Sequence, residues 1–98
     1  MQIVNLLREK FAADRFEFSR HALDQSMLRM ISVREIREAI QTAILIEDYP
    51  PSCLLLGFTL AARPLHVQCS YRIRPIVKVI TVYEPDPADW IELRVRKR

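Results

Sequence analysis

The stretch from Pro64 to Tyr71 alternates between apolar and polar side chains. Alternate residues of a β-strand point to opposite faces, so His66 shares a face with Gln68 and Ser70, while the apolar residues face a core. An imidazole on a polar sheet face is a candidate general acid or base near neutral pH. The pattern leaves two interpretations of His66 open, a functional histidine or an ordinary surface histidine.

The stretch from Ile76 to Tyr83 is the most β-branched part of the chain, and it is apolar on both faces. Such a strand is predicted to lie centrally in a sheet. Lys78 interrupts it, and a lysine at that position indicates either a cleft that holds an anion or a side chain that reaches out to water. Strict alternation places Lys78 and Tyr83 on opposite faces unless a β-bulge intervenes.

The spacing of possible metal ligands argues against a metal site. His66 and Cys69 are three residues apart on a strand, which directs them to opposite faces, and His21 with Asp24 supplies only two ligands. The chain contains one glycine, Gly57, so it has no glycine-rich phosphate loop. We therefore predict neither a metal nor a cofactor.

The residues before and after these two strands predict an α+β fold. Helical periodicity and N-cap signals predict short helices over about 2–13, 20–29 and 33–42, and the last begins with a capping box formed by Ser32 and Glu35. Strands are predicted at about 44–49, 53–60, 64–71 and 76–83, joined by short turns, so the neighbours must be antiparallel. Residues 88–93 are predicted to form a last helical turn or a short edge segment. The expected architecture is two to three N-terminal helices on a roughly four-stranded antiparallel β-meander.

Composition indicates one domain over residues 1–98 and a cytoplasmic protein. Half of the residues are apolar, yet no apolar run approaches the roughly 18 residues that cross a membrane, and the N-terminus does not look like a signal peptide. Cys53 and Cys69 are expected to be half-buried reduced thiols that a hairpin could bring close together. The net charge is +3, and residues 51–98 carry 8 basic and 4 acidic side chains, with a basic tail at 94–98. A nucleic-acid partner agrees with this distribution.

Several short motifs resemble a widespread bacterial family of small proteins of unknown function, which is usually placed near the RelE/ParE toxin superfamily. They extend over about residues 17–90 and are Ser19-Arg20-His21-Ala22, Arg29, Ile31-Ser32, Glu35-Ile36, Ala39-Ile40, Ile46 to Pro50, Arg63 to Val67, and Thr81 to Pro87 with Trp90. The chain departs from the pattern at Gln25 and Met30, where related sequences often carry arginine and glycine.

The resemblance implies a RelE/ParE-like fold of short helices on a curved antiparallel sheet. RelE-like toxins cleave messenger RNA on the ribosome, whereas ParE-like toxins bind and poison DNA gyrase. The expected function is thus that of a RelE-like toxin of a toxin–antitoxin pair, with metal-independent RNA cleavage or RNA binding. The alternative is a non-catalytic module of the same fold that binds a protein target or an antitoxin. Expected partners are RNA or the ribosome and an antitoxin protein, and a homo-oligomer is possible.

RNA cleavage requires an activated 2′-hydroxyl, a stabilised phosphate and a protonated leaving oxygen, all of which side chains can provide without a metal. As a hypothesis for catalysis, His66 acts as general acid or base, Tyr83 supports it, and His21 and Arg29 line the cleft from the helix side. Arg29, Arg63 and Lys78 are the predicted phosphate ligands. Since strict alternation separates Lys78 from Tyr83, we favour Tyr83 where the two conflict.

Overall fold

A computed structural model describes residues 3–70 and 75–97 as three helices, a five-stranded sheet and a small two-stranded sheet. This is an α+β fold, as predicted. The elements in chain order are α1 (Ile3–Ala12), β1 (Phe16–Phe18), α2 (Arg20–Leu28), α3 (Val33–Gln41), β2 (Ile44–Tyr49), β3 (Ser52–Phe58), β4 (Pro64–Ser70), β5 (Val77–Tyr83), β6 (Trp90–Ile91) and β7 (Val95–Arg96). The turn predicted at Arg72–Pro75 lies mostly outside the described residues.

Serine caps begin the second and third helices. Ser32 accepts a hydrogen bond from the Glu35 backbone N–H while the Glu35 carboxylate accepts one from the Ser32 N–H, which confirms the predicted capping box. Ser19 accepts from the Ala22 N–H, and its hydroxyl also donates to the carbonyl of Ile80 at 3.0 Å. The cap of α2 is therefore also a tie between this helix and β5.

The sheet order is β1-β5-β4-β3-β2. Strands β2 to β5 form the predicted antiparallel meander, and β1 adds a fifth strand that pairs in parallel with β5, Phe16 opposite Val77 and Phe18 opposite Val79. The Phe16 ring stacks on Phe11 of α1 with centroids 4.5 Å apart, so helix packing holds this short strand against the sheet. The strand that was predicted to lie centrally, β5, is an interior strand because β1 pairs with its outer edge. The middle strand of the five is β4.

The main core lies between the helices and one face of the sheet. The predicted inward face of β4, Leu65, Val67 and Cys69, is fully buried there against residues of α1 and α3. On the neighbouring strand β3, Gly57 lets α3 approach closely, since a Cβ on it would lie 1.9 Å from the backbone oxygen of Ala39. A glycine within a strand is typical of such a close approach between backbones.

The opposite face of the sheet is covered as well, which corrects the prediction of an open polar face around His66. Residues after β5 fold back as a hairpin made of β6 and β7, Trp90 is 5% exposed and His66 is fully buried. Of the two alternatives predicted for residues 88–93, a helical turn or a short edge segment, the structure shows a short strand, β6, which pairs with β7 and not with the edge of the main sheet. Trp90 covers this second face, where its indole ring and the imidazole are perpendicular to each other.

A β-bulge in β5 changes which residues share the His66 face. Cys69 pairs with Val79 and Gln68 pairs with Thr81, so Ile80 is the extra residue. The extra residue shifts the alternation by one position and places Lys78 and Tyr83 on the same face. The conflict between these two predicted site residues is thereby removed.

The two cysteines lie opposite each other on β3 and β4. Both are free and fully buried, rather than half-buried as predicted. A hydrogen bond with Cys53 and burial in the core both raise the pKa of the Cys69 thiol well above its ordinary value. Among residues 3–70 and 75–97, no helix has both the length and the apolar character needed to cross a membrane.

Candidate functional site

The imidazole of His66 uses both of its ring nitrogens within the fold. Nε2 lies 2.7 Å from the carbonyl oxygen of Leu93, which can only accept, so we assign the ring hydrogen to Nε2. Nδ1 is then an acceptor, and the Tyr83 hydroxyl, 3.0 Å away, donates to it. Burial lowers the pKa of His66 and outweighs the opposite effects of the Leu93 carbonyl and Glu47. His66 is therefore a neutral hydrogen-bond acceptor at neutral pH.

Aromatic rings surround this imidazole on two sides. Trp90 meets it edge-on with ring centroids 4.4 Å apart, and Tyr83 does so at 5.2 Å. The side chain has no exposed surface, so a substrate can be reached only through the Tyr83 hydroxyl. The geometry thus reverses the order of the predicted pair, since Tyr83 faces the site and His66 supports it from behind.

Tyr83 lies at an open cleft of about 790 Å³. The residues that line the cleft come from the end of α2, the end of β5 and the C-terminal hairpin, and they are Arg29, Tyr83, Ala88, Asp89, Trp90, Arg96 and Lys97. Three of them are cationic and one is a carboxylate, which favours an anionic ligand. Burial raises the pKa of Tyr83, so its hydroxyl keeps its proton at neutral pH.

Arg29 forms the helix side of the cleft, where the sequence predicted it. It follows the last residue of α2, and its Nη1 donates to the carbonyl of Val82 at 2.9 Å. Its guanidinium carbon lies 5.7 Å from the centre of the Tyr83 ring. Since one hydrogen bond holds this side chain and the residue remains exposed, further donors are available to a ligand in the cleft.

Arg96 of β7 and Lys97 after it also line the cleft, and in the sequence they stand out only as part of a basic tail. Arg96 contacts Glu47 of β2 with two nitrogens, at 2.9 and 3.1 Å, and lies 4.6 Å from the centre of the Trp90 ring. Burial works to raise the pKa of Glu47, but hydrogen bonds from Arg96 and Tyr49 lower it below its ordinary value. The ion pair fixes the hairpin to the sheet edge, while Lys97 is left to supply charge to the cleft.

Arg63 lies in a network that we call the Arg63 clamp. Its guanidinium contacts the carboxylates of Glu84 and Glu35 at 2.7 and 3.0 Å and the carbonyls of Arg29 and Met30, both at 3.0 Å. Four of its five N–H donors are used in this way, so the geometry gives no support to the predicted phosphate contact. The clamp joins the start of β4 to the connection between α2 and α3 and to the end of β5.

A family model described as a domain of unknown function (DUF4258) matches residues 18–84. The chain belongs to this family. No curated protein and no solved structure matches the chain. The likeness to the RelE/ParE superfamily therefore remains a prediction.

All six site residues predicted from the sequence fall inside the DUF4258 segment, but only three of them lie at or directly behind the cleft. Arg29 and Tyr83 line it and His66 lies behind it, whereas Trp90, Arg96 and Lys97 follow the matched segment. The cleft is consequently assembled from the DUF4258 domain on one side and the C-terminal hairpin on the other.

Lys78 and His21 lie away from this cleft. Lys78 shares the Tyr83 face, but it is five residues along β5, roughly 16 Å at about 3.3 Å per residue, and its ammonium lies 3.7 Å from Glu17 on β1. His21 is exposed in the first turn of α2, and the tie from that helix to the sheet is made by Ser19 instead. Within the described residues, no group of three His, Cys, Asp or Glu side chains is placed to hold a metal ion.

Proposed function

We propose that the cleft binds the phosphate backbone of RNA and that Tyr83, supported by His66, cleaves it without a metal, as in a RelE-like toxin. The observation that carries the proposal is the Tyr83 hydroxyl, which lies at a cationic cleft and donates to a buried neutral imidazole. A phenol in that position has an anion-binding surface in front of it and a proton acceptor behind it.

The cations supply the binding. Arg29 follows α2 and Lys97 follows β7, so two separate parts of the chain bring cations to the cleft where a phosphate would bind. Arg96 adds positive charge close to Tyr83, although its guanidinium is already paired with Glu47. Charge-assisted hydrogen bonds from arginine and lysine to phosphate are strong and do not depend on the base.

The proton path follows from the tautomer of His66. The 2′-hydroxyl of the RNA gives its proton to the Tyr83 oxygen while the Tyr83 proton moves to Nδ1 of His66. The 2′-oxygen forms a bond to phosphorus, the bond from phosphorus to the 5′-oxygen breaks, and the leaving oxygen takes a proton from water or from Lys97. The products are a 2′,3′-cyclic phosphate and a 5′-hydroxyl end. The imidazolium formed in the step is stabilised by the Leu93 carbonyl and the nearby Glu47 carboxylate.

A second candidate function is binding without cleavage, and one observation favours it. The hydrogen bonds of His66 also fix the C-terminal hairpin, so the imidazole has a structural role whether or not it accepts a proton. In that case the cleft is an anion-binding interface for an RNA or a protein target, and the Tyr83 hydroxyl is not needed for its effect.

The test is controlled induction in a bacterium with RNA 5′ ends mapped, comparing the parent with Tyr83→Phe and Lys78→Gln. We expect growth arrest and new 5′-hydroxyl ends with the parent and with Lys78→Gln, whose side chain lies outside the cleft. Tyr83→Phe should abolish the new ends, since general acid–base catalysis contributes about 100- to 10,000-fold. Arrest without new ends in all three would favour the binding module, and normal growth with abundant protein would refute the toxin function in that host.

Purified protein separates ribosome-dependent from direct cleavage. A labelled RNA is incubated with the protein alone and with translating ribosomes, and the ends are analysed for cyclic phosphate. A toxin–antitoxin pair further requires a neighbouring co-transcribed gene whose product suppresses the arrest. The free cysteines facing each other in the core agree with the reducing cytoplasm that this function requires.

A further inference from the structure

The C-terminal hairpin covers only one end of the second sheet face. On that face Leu54 and Leu56 are each 3% exposed and His66 is fully buried. Next to them lies a group of polar or aromatic side chains that remain at least partly exposed, and its members are Tyr49, Ser52, Gln68 and Thr81. Strand pairing and alternation place all four on the face of His66. We call these four residues the open face.

Hydrogen bonds hold the side-chain amide of Gln68 in one orientation. The Ser52 hydroxyl donates to the carbonyl of Tyr49 at 3.2 Å. Because its single proton is used there, Ser52 can only accept from Gln68, and Nε2 of Gln68 donates to it at 3.3 Å. The amide oxygen Oε1 is thereby directed away from Ser52. Among the described residues, Oε1 and the second N–H of Gln68 have no partner.

The free groups of Gln68 are one acceptor beside one donor on a planar amide, which is the pattern that recognises adenine. Glutamine binds adenine with two hydrogen bonds, because Oε1 accepts from the N6 amino group and Nε2 donates to N7. Guanine has two acceptors, O6 and N7, on the same edge, so Oε1 would face another acceptor. In single-stranded RNA these base edges are accessible to side chains. Gln68 can therefore distinguish two purines of similar size.

The open face is continuous with the cleft. Gln68 lies two residues after His66 on β4, and Thr81 lies opposite Gln68 and two residues before Tyr83 on β5. Two residues extend over roughly 7 Å at about 3.3 Å per residue. A nucleotide covers such a distance between its phosphate and its base. A strand whose phosphate lies at Tyr83 can thus place a base at Gln68.

Tyr49 provides an aromatic surface at the border of the open face. It is 50% exposed, and its hydroxyl contacts the carboxylate of Glu47, which holds the ring at the edge of the sheet. Bases stack on exposed aromatic rings with little dependence on their identity. Tyr49 would therefore contribute affinity for any base, while the choice of base depends on Gln68.

We infer that the open face binds an adenine of the RNA and that Gln68 is the residue that selects it. The inference rests on the proposed function, since the base belongs to the strand whose phosphate occupies the cleft. Ser52 is a positioning residue, because it acts on the base only through the orientation of the Gln68 amide.

The experiment uses the full chain with Tyr83→Phe, which should leave the RNA uncleaved. The probes are two uridine hexanucleotides of RNA, one with a single internal adenosine and the other with guanosine at the same position. Fluorescence anisotropy measures both affinities. We expect the adenosine hexamer to bind tighter by about fivefold or more, the lower limit for a bidentate contact to a base. In ¹⁵N-labelled protein, only this hexamer should shift the side-chain amide signal of Gln68.

Variants in the same background then locate the selection. Gln68→Met keeps the length of the side chain but removes both hydrogen-bonding groups, so the preference for adenosine should fall below about twofold while the guanosine hexamer binds as before. Ser52→Ala should weaken the preference in the same direction, because the amide is free to turn. The matched control, Gln41→Met, changes an exposed glutamine at the end of α3 and should keep the full preference. Tyr49→Leu should weaken both hexamers by a similar factor.

Three results would overturn the inference and leave the proposed function standing. The two hexamers could bind equally, the preference could survive Gln68→Met, or the adenosine hexamer could bind without moving the Gln68 amide signal. The last result comes from a chain with an unchanged open face, so it does not depend on the folding of any open-face variant. If neither hexamer binds to this chain or to the parent, the proposed function is refuted and the inference with it.

Discussion

Tyr83 and His66 lie directly opposite each other on β5 and β4, and the Tyr83 hydroxyl is 3.0 Å from Nδ1 of the imidazole. The bulge at Ile80 makes this pairing possible, because it turns Tyr83 to the face that His66 occupies. The C-terminal hairpin then buries the imidazole and leaves the phenol at a cleft. A histidine that is inaccessible by itself is thus linked to the surface through one hydroxyl.

The burial of His66 predicts a pH dependence of stability. Because the folded chain lowers the pKa of this imidazole below 6.5, the unfolded chain takes up its proton first as the pH falls. The free energy of unfolding should therefore decrease as the pH falls below about 6.5. The decrease should end once the pH is below the pKa of His66 in the folded chain, where the contribution of this imidazole is lost. Urea denaturation between pH 8 and pH 5 measures it. His66→Gln should flatten the curve, whereas exposed His21→Gln should not; a parent curve already flat in this range would contradict the assignment.

Two lysines on different parts of the protein should affect oligonucleotide binding differently. Lys97→Gln removes a cation from the cleft, so the affinity for single-stranded RNA should fall severalfold and the slope against log salt by about 0.7 for the lost phosphate contact. Lys78→Gln removes the same charge where it pairs with Glu17 and should change neither quantity. Fluorescence anisotropy at several salt concentrations gives both values. Equal effects of the two changes would mean that only the net charge matters.

The Arg63 clamp should be important for stability. Arg63→Ala leaves the carboxylates of Glu35 and Glu84 without their shared partner and frees two carbonyls of the α2–α3 connection. We expect a loss of about 2 kcal/mol in the free energy of unfolding, since the side chain is partly exposed and solvent screens the ion pairs. Arg34→Ala, which removes a mostly exposed guanidinium, is the control and should cost less than about 0.5 kcal/mol. Similar values for both variants would show that the network contributes little.

Gly57→Ala should destabilise the contact between α3 and β3. The added Cβ would lie 1.9 Å from the Ala39 backbone oxygen, so the helix must move away from the strand. Overpacking of this kind costs roughly 1–3 kcal/mol, and the rigid acceptor favours the upper end. Thermal and urea unfolding report the change. An unaltered midpoint would mean that the helix shifts without cost.

Met30→Gly should stabilise the folded protein. Glycine adopts the left-handed conformation at φ 54° without strain, and the side chain that it replaces is 83% exposed. After allowance for the greater freedom of glycine in the unfolded chain, we expect a gain of up to about 1 kcal/mol. Urea denaturation of the variant and the parent measures the difference in the free energy of unfolding. A variant that is less stable than the parent would show that Met30 packs on the fold.

The local elements of this protein are determined by its sequence, because their signals act over a few residues. The capping box at Ser32, the apolar periodicity of α3 and the alternation of β4 predicted the helices, the meander and the inward residues Leu65 and Val67. Periodicity shows which side of an element is apolar, and two strands that are joined by a short turn pair with each other. These features required no knowledge of distant contacts.

The site was decided by contacts between residues far apart in the chain. The bulge at Ile80, the parallel pairing of Phe16 with Val77 and the hydrogen bond from His66 to Leu93 all depend on three-dimensional packing. A strand pattern cannot show that a later hairpin will cover its polar face, so the sequence left His66 on an open polar face, as either a functional or a surface histidine. Nor can it show whether an arginine meets carboxylates or a ligand, which is why Arg63 looked like a phosphate contact. Long-range packing determines the burial and the partners of each of these side chains. Burial and partners in turn determine the chemistry of the side chain.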